Sequence, residues 1–535
     1  MHRVKFRGRK MEATWTAIVS SMVVAVLITC LVKLLNCTWF KPRNLEKFLR
    51  EQGFNGNPYR PFAGDMKDHL KFLKQERTRS IQLSDNAAKH MLPYYHHIIS
   101  KYGQKSFIWF GPSPRLNVTD PALIKEILWR PDVFEKPFPE KGRILMGGGL
   151  IFLEGDKWAK HRKIANHAFH VDKLKDMVPA IGLACANMIN NLQGMVSGTE
   201  QGWCEIDIWP FLENLTGDVI SRAAFGNSYE EGRRIFQLMR ERVKLGMQLL
   251  EFSYLPGWRY LPTRLNREVK AITNEMQSIL RGLISKRHKE MERGEETTKN
   301  DLLSILMEAN SRFIQENGNK NAGMSIEDVI EECQLFYFAG SETTASLLVW
   351  TIVLLCRHPE WQAQAREEVV RVFGKSGPTS QGLNHLKIVT MILQEALRLY
   401  SPVPLSVRGP TKTVKLGNLT VPAGVHLTLL IGLMHYDPQI WGDDAEEFKP
   451  HRFSHGVSNA TKIQPSFVPF SSGPRVCMGE NFAMIEAKMA LAMILQHFSF
   501  ELSPSYIHAP FPILSLQPQF GAPIILRDLQ TLSVS

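Results

Sequence analysis

The sequence predicts a mainly α protein with small β sheets, an α+β body behind one N-terminal membrane-spanning helix. Three observations carry this expectation: an uncharged apolar run near the start, helical periodicity through most of the remainder, and a few short strand-like runs. At 535 residues, with 44% hydrophobic and 22% charged, the chain has ordinary globular usage and can bury a sizeable core. A disordered or fibrous protein is excluded. The length suits either several domains or one large helical enzyme.

From Thr14 to Val32 no charged residue occurs, and the run reaches Leu35 if Lys33 extends to the interface. That is the length of a bilayer-crossing helix. A cleaved secretory signal also begins with basic residues and an apolar run. Here no small-x-small site precedes Lys33, and basic residues follow, so a retained anchor is expected. Lys33, Lys41, Arg43, Lys47 and Arg50 would hold the body in the cytosol, while Arg3, Lys5, Arg7, Arg9 and Lys10 pull the other way. A chain starting at Met11 has only Glu12 ahead of the span and no such conflict. The expected division is a basic extension 1–13, an anchor 14–35, a turn-rich linker 36–64 that includes Gly53–Pro61, and a catalytic body 65–535.

Helical patterns cover Ala159–Phe169, Leu212–Phe225, Arg267–Glu290, Ile326–Arg357, Trp361–Phe373 and Asn481–Leu495. Strand-like runs cover Ser106–Trp109, Arg115–Val118, Val414–Val421 and Val425–Leu430. Lys286–Asn300 and Glu316–Gly323 read as exposed connections. No repeat and no nucleotide-phosphate fingerprint stands where one would be needed, so reducing equivalents for any redox chemistry must come from outside the chain.

The formal charge is +12. Zinc-finger patterns and arginine stripes interleaved with aromatics are missing, so no nucleic acid is expected; anionic lipid and an acidic protein fit the charge better, as does plain solubility. The seven cysteines are scattered without a C-x-x-C pair, which points to a reducing compartment.

One cysteine stands apart. Phe470-Ser471-Ser472-Gly473-Pro474-Arg475-Val476-Cys477-Met478-Gly479 brackets Cys477 with glycines that permit tight turns beside a flat group. The helix beginning near Asn481 would place its positive end beside a thiolate and lower its pKa. Alone, the loop also fits a buried structural cysteine. Ala339-Gly340-Ser341-Glu342-Thr343-Thr344 should open an otherwise apolar helix, because threonine hydroxyls can bond back to carbonyls. A Ser/Thr-rich packing patch would read the same way, but a lone Glu there is costly without a purpose. Trp158 and Arg162, four residues apart, share one helical face, as any surface cation–π pair could. Glu395 and Arg398 stand one turn apart.

The ten-residue loop matches the F-x-x-G-x-R-x-C-x-G signature, and the chain beyond the anchor resembles the cytochromes P450. The resemblance implies that fold, haem b with Cys477 as the iron ligand, and the loop residue Phe470 beside the haem. It implies propionate contacts from Arg475, Arg408, Trp158 and Arg162, and proton guidance by Glu342 and Thr343. It also implies a structural network of Glu395, Arg398 and Arg452, the last from Phe448-Lys449-Pro450-His451-Arg452-Phe453. By family position the substrate would meet Phe138–Leu150, Met247–Ser253, Phe336–Phe338, Val403–Val407 and Pro512–Ser515, although core packing explains most of these equally well.

Gly56-Asn57-Pro58-Tyr59-Arg60, Val329-Ile330-Glu331-Glu332-Cys333, Leu335–Gly340 and His508-Ala509-Pro510-Phe511 resemble the plant secologanin-synthase-like group, with Ser341 where that group often has Gln. This resemblance implies oxidation of a terpenoid, triterpenoid or iridoid. Electrons would come from NADPH through NADPH–cytochrome P450 reductase, with cytochrome b5 as a further partner, at the endoplasmic reticulum membrane. Hydroxylation is the default reaction, and oxidative C–C cleavage of a loganin-type ring is the sharper one. A peroxide-rearranging or gas-sensing haem-thiolate protein is the alternative of a different class. It has no need for the delivered protons that Glu342 and Thr343 suggest.

Overall fold

The apolar N-terminal run forms helix α1 (His2–Leu35), and its side chains from Ile18 to Leu35 are all exposed. An exposed, all-round apolar helix needs a non-aqueous surrounding, as an anchor has. The structure is a computed structural model that describes residues 2–77, 79, 81–82, 86–137, 147–226, 229–250, 261–293, 301–319 and 322–529. Expectations that fall on residues 138–146, 251–253, 294–300 and 320–321 lie outside the described residues.

Residues 36–64 are not the plain linker that their turn residues suggest. A π-helical turn, Asn36–Phe40, leads into helix α2 (Lys41–Glu51), whose Leu49 is fully buried. Gln52 Nε2 donates to the Thr420 carbonyl at 2.9 Å, and Phe107 N donates to the Asn55 carbonyl at 3.0 Å.

One sheet has five strands in the order β1-β2-β8-β5-β3: Phe107–Phe110, Ser113–Val118, His426–Leu429, Ser406–Pro410 and Phe134–Glu135. Only β2 and β8 run parallel; the other neighbours are antiparallel. A three-stranded sheet holds β12 (Pro523–Asp528) between β4 (Trp203–Asp207) and β9 (Phe498–Leu502). Val414–Val421, expected as one strand, is a hairpin of β6 (Val414–Leu416) and β7 (Leu419–Val421), turned at Gly417 with φ +54°. A second hairpin pairs β10 (Pro510–Pro512) with β11 (Leu516–Pro518).

Helices make up the rest. In chain order they include α3 (Pro121–Trp129), α4 (Gly155–Asn166), α5 (Val171–Ser197), α6 (Trp209–Phe225), α7 (Tyr229–Leu250), α8 (Arg264–Glu292) and α9 (Ile326–Arg357). After α9 come α10 (Pro359–Phe373), α11 (Lys387–Leu399) and α12 (Glu480–His497). Helix α8 absorbs the start of the charged stretch expected as a connection. Helix α5 went unseen in the sequence because Pro179, Gly182 and Gly194 interrupt its pattern.

Helix α9 is the axis of the core. Ser325 and Asp328 close its N-terminus with a reciprocal capping box. By length and composition α9 could cross a membrane, but 78% of its apolar window is buried inside the body. It therefore serves as a core helix. Helices α6, α11 and α12 pack along it, and Trp350 stacks on Tyr400 with centroids 4.6 Å apart. The opening expected at Ala339–Thr344 is not a break, for α9 runs as one helix through it. Ser341 Oγ bonds back to the Tyr337 carbonyl and Thr343 Oγ1 to the Ala339 carbonyl, each at 2.7 Å, so these hydroxyls are absorbed without ending the helix.

Candidate active site

Cys477 lies on a loop whose shape is fixed locally. Cys477 N donates to the Phe470 carbonyl at 2.8 Å, closing the loop across Ser471 to Val476. Gly473 takes φ +71°, and a Cβ there would come within 2.8 Å of the Leu128 carbonyl of α3. Glycine is demanded at this point. Gly479 differs from expectation: its φ of −87° is open to any residue, and a Cβ would only touch Phe169 at 3.9 Å. Ser471 instead takes a left-handed φ of +67° while carrying a side chain.

Protein surrounds Cys477, yet its side chain remains accessible to a water-sized sphere, so the surface it presents is an internal one. Ala339, in the middle of a helix otherwise buried here, is likewise exposed, and Gly340 and Thr343 are partly so. Phe169 bridges the two regions, with its ring 5.3 Å from that of Phe336 on α9 and its edge nearest to Gly479.

The thiol does not have the lowered pKa that the helix end suggested. Burial pushes it up and outweighs the Gly479 and Glu480 amides and the Arg162 guanidinium, which pull it down. A thiolate there calls for a further positive centre. Among the described residues no group of three or more His, Cys, Asp or Glu could hold a metal, so a multi-ligand ion site is not that centre.

Around the loop the structure brings together the basic residues expected there and adds one. Arg162 Nη1 donates to the Val476 carbonyl at 2.8 Å. The Arg475 guanidinium lies 4.4 Å from the centre of the Trp158 ring and pairs with Glu154. Arg408 is buried on β5, with Nη1 donating to Ser406 Oγ at 2.7 Å. Lys136, just beyond β3, donates from Nζ to the Ile151 carbonyl at 2.7 Å. Burial pushes the Lys136 ammonium well down, with Arg408 and Arg475 adding to the effect, and pushes Arg408 down to about 10. The carboxylates opposing these four cations are Glu154 and the more distant Glu135. Arg475 Nε and Nη1 are buried with no hydrogen-bond partner among the described residues.

The residues fit haem. Its two propionates would meet a surplus of buried cations and the orphaned face of Arg475, and its iron would supply the positive centre that Cys477 lacks. No sequence motif flags Lys136, because only the β3–β5 pairing carries it to Arg408.

Glu342 and Thr343, adjacent in sequence, are bonded to different things. Glu342 Oε1 accepts from Ser515 Oγ at 2.8 Å and from Gln517 Nε2, both on the β10–β11 hairpin. One and two turns on, Ser346 Oγ and Trp350 Nε1 both donate to the Leu516 carbonyl, at 2.6 and 2.8 Å. The stripe 342, 346, 350 thus fastens the hairpin to α9. Burial raises the Glu342 pKa.

Glu395 and Arg398 are fully buried and form paired hydrogen bonds of 2.7 and 2.8 Å. Arg452 Nε adds a longer contact to Glu395 at 3.4 Å. The remaining Arg398 donors reach the carbonyls of His435, Ala445 and Glu447.

Comparison with known proteins gives the family. The cytochrome P450 family model matches residues 79–519. Cytochrome P450 CYP72A219 of Panax ginseng is 50% identical over 97% of this chain and 100% of its own length. Cytochrome P450 72A397 of Kalopanax septemlobus is 51% identical over 93% of this chain and 95% of its own. The 7-deoxyloganic acid hydroxylase of Catharanthus roseus is 49% identical over 97% of this chain and 100% of its own. Among solved structures, a retinoic acid-bound cyanobacterial CYP120A1 superposes with a TM-score of 0.72 at 22% identity, over 89% of this chain and 100% of that one, a likeness of fold. The chain belongs to the cytochrome P450 family of haem monooxygenases and, within it, to the plant secologanin-synthase-like group.

Proposed function

We propose that this enzyme inserts one oxygen atom from dioxygen into a terpenoid, iridoid or triterpenoid, by hydroxylation. The observation that carries the reading is the Cys477 loop, which faces an internal surface ringed by cations. Hydroxylation, rather than ring cleavage, is supported by the relative named 7-deoxyloganic acid hydroxylase.

In this reading Cys477 Sγ is the iron ligand, and the bound haem supplies the redox-active metal. Arg162, Arg408, Arg475 and Lys136 neutralise its propionates, while Trp158 holds Arg475 in place. Phe470 fixes the loop through its carbonyl. Thr343 Oγ1 and the Glu342 carboxyl hold protons beside the oxygen side of the site. The mostly apolar segments Phe336–Phe338 and Val403–Val407 shape the pocket for a lipophilic substrate. Helix α1 anchors residues 65–535 to the cytosolic face of the endoplasmic reticulum. There NADPH–cytochrome P450 reductase delivers electrons, with cytochrome b5 as a second donor.

Microsomes holding the full chain and a plant reductase, supplied with loganin-type and triterpene compounds, test the reading. The expected result is an NADPH-dependent product carrying one added oxygen. Cys477→Ala should lose the red-shifted Soret band of the reduced carbonyl complex, and a variant that kept it would refute the ligand assignment. Thr343→Ala should divert NADPH into peroxide.

A further inference from the structure

Beyond the oxygen-side segment of α9 lies a row of oxidisable rings with no part in haem binding or proton guidance. Trp350 stands two turns past Thr343, on the same side of α9 and roughly 10 Å along it. Its indole is fully buried and donates to the Leu516 carbonyl at 2.8 Å. Tyr400, at the end of α11, stacks on it with centroids 4.6 Å apart and planes 10° from parallel. The ring of His508 comes next, edge-on at 5.6 Å from Trp350 and 5.8 Å from Tyr400. Tyr400 Oη stands 3.1 Å from His508 Nε2, and Tyr506 Oη stands 2.8 Å from Nδ1. A neutral imidazole accepts at one nitrogen and donates at the other, so one ring joins both phenols. Trp350, Tyr400 and His508 are buried, whereas Tyr506, between the exposed Ser505 and Ile507, is partly open to solvent. Burial pushes Tyr400 up to about 12 and Tyr506 well above its ordinary value, so both phenols keep their protons at neutral pH. The buried Tyr436, by contrast, donates to the Leu399 carbonyl at 2.9 Å, and a carbonyl is no base for a phenol that loses an electron.

We propose that Trp350, Tyr400, His508 and Tyr506 form a path that drains oxidising equivalents from the haem site to the surface when activated oxygen finds no substrate. The inference rests on the monooxygenase reading above. Trp350 gives one electron to the haem site and is left as the indole radical cation. Tyr400 refills it across the stacked rings, and the phenolic proton moves to His508 Nε2 in the same step. A phenol that loses an electron becomes a strong acid, and His508 is the base in place to take its proton. Tyr506 then gives one electron to the Tyr400 radical, His508 returns the proton to Tyr400 Oη, and the Tyr506 phenolic proton leaves to solvent. A small thiol in solution is the terminal reductant and restores Tyr506 with one electron and one proton. Each passage removes one oxidising equivalent from the buried site and leaves the four residues as they began.

Hydrogen peroxide added to the full-length ferric haem protein without substrate tests this, with a nitroso spin trap present and the trapped residue mapped by peptide mass spectrometry. In the native chain the trap should be found on Tyr506. Tyr400→Phe keeps the ring that stacks on Trp350 and loses only the hydroxyl. It should lose the Tyr506 adduct and bleach its haem several-fold faster. His508→Gln, whose amide cannot take the proton, should do the same. Tyr506→Phe should hold the radical at Tyr400, seen by freeze-quench electron paramagnetic resonance as a tyrosyl signal that outlasts the native one. A cluster that serves packing alone would lower the melting temperature in these variants and leave adduct and bleaching as in the native chain, which would overturn the path. So would a native chain with no adduct on Tyr506, or a Tyr400→Phe chain that keeps it. Should a buried variant not fold, the native adduct and the Tyr506→Phe signal decide. Loss of the red-shifted carbonyl band in the native chain would instead overturn the haem-thiolate reading, which separates the two failures.

Discussion

Two arginine clusters are buried in this chain, and their charges are settled in opposite ways. Around Glu395, the guanidinium of Arg398 spends its donors on a carboxylate and three backbone carbonyls, and Arg452 adds Asp444 at 2.7 Å and the Trp441 carbonyl at 3.0 Å. That network closes on itself. Around Arg475, among the described residues, four cations face two carboxylates, and two guanidinium nitrogens have no partner. A cluster that is complete without help is scaffold; one left with surplus charge is shaped for a charged guest. In sequence the two look alike, each an arginine near an acid.

The comparison can be broken most easily at its closed end. Glu395→Ala leaves Arg398 fully buried without its carboxylate and should cost about 3–5 kcal/mol, read as loss of soluble folded protein. Arg475→Ala should have the contrary signature. The haem-free fold should be no less stable, because a partly unpaired buried cation is removed, while haem retention falls roughly tenfold to a hundredfold. Transfer of haem to an acceptor protein, timed beside the melting of the haem-free chain, would show both. If Arg475→Ala melted the haem-free chain as Glu395→Ala does, the contrast would be false.

A smaller effect sharpens the closed side. His435 touches the Arg398 carbonyl through Nδ1 at 3.2 Å, and burial, with the Arg398 charge adding, pushes its pKa from 6.5 down to about 3. The folded chain keeps this ring neutral where the unfolded chain protonates it. Stability from this group is thus complete above pH 6.5 and declines as pH falls toward 3. The slope is at most about 1.4 kcal/mol per pH unit. His435→Phe should flatten acid denaturation over that window, measured by urea midpoints at several pH values. The smallest change should come from the exposed pair Arg264–Glu268, at 2.7 Å. Glu268→Ala should leave the urea midpoint unchanged within the precision of the measurement.

Much of this site was legible before any coordinates. Glycine at 473, arginine at 475 and cysteine at 477 act within one loop, so their spacing carries their geometry. The same holds for Glu395 and Arg398 on one turn of helix, and for Trp158 and Arg162 on another. What escaped depends on contacts between distant segments. Lys136 joins the cation cluster only through the pairing of β3 with β5. Glu342 was expected to guide protons with Thr343, and its bonds to Ser515 and Gln517 on a distant hairpin have no sign in the motif. The helix runs unbroken through Ala339–Thr344, because hydroxyls that can disturb a helix can also bond back within it.

The Leu516 carbonyl accepts two donors from α9, so both of its lone pairs are committed, and Leu516 N donates to the Pro402 carbonyl at 3.1 Å. A wall fastened this way keeps its length. Inserting or deleting a residue between Pro512 and Leu516 would pull the strand out of register with Ser346 and Trp350, whereas exchanging Ile513 or Leu514 leaves every one of those bonds in place. Diversification at this wall therefore proceeds by swapping side chains on a fixed thread, and relatives that differ in substrate should differ here in residue type while keeping the same spacing.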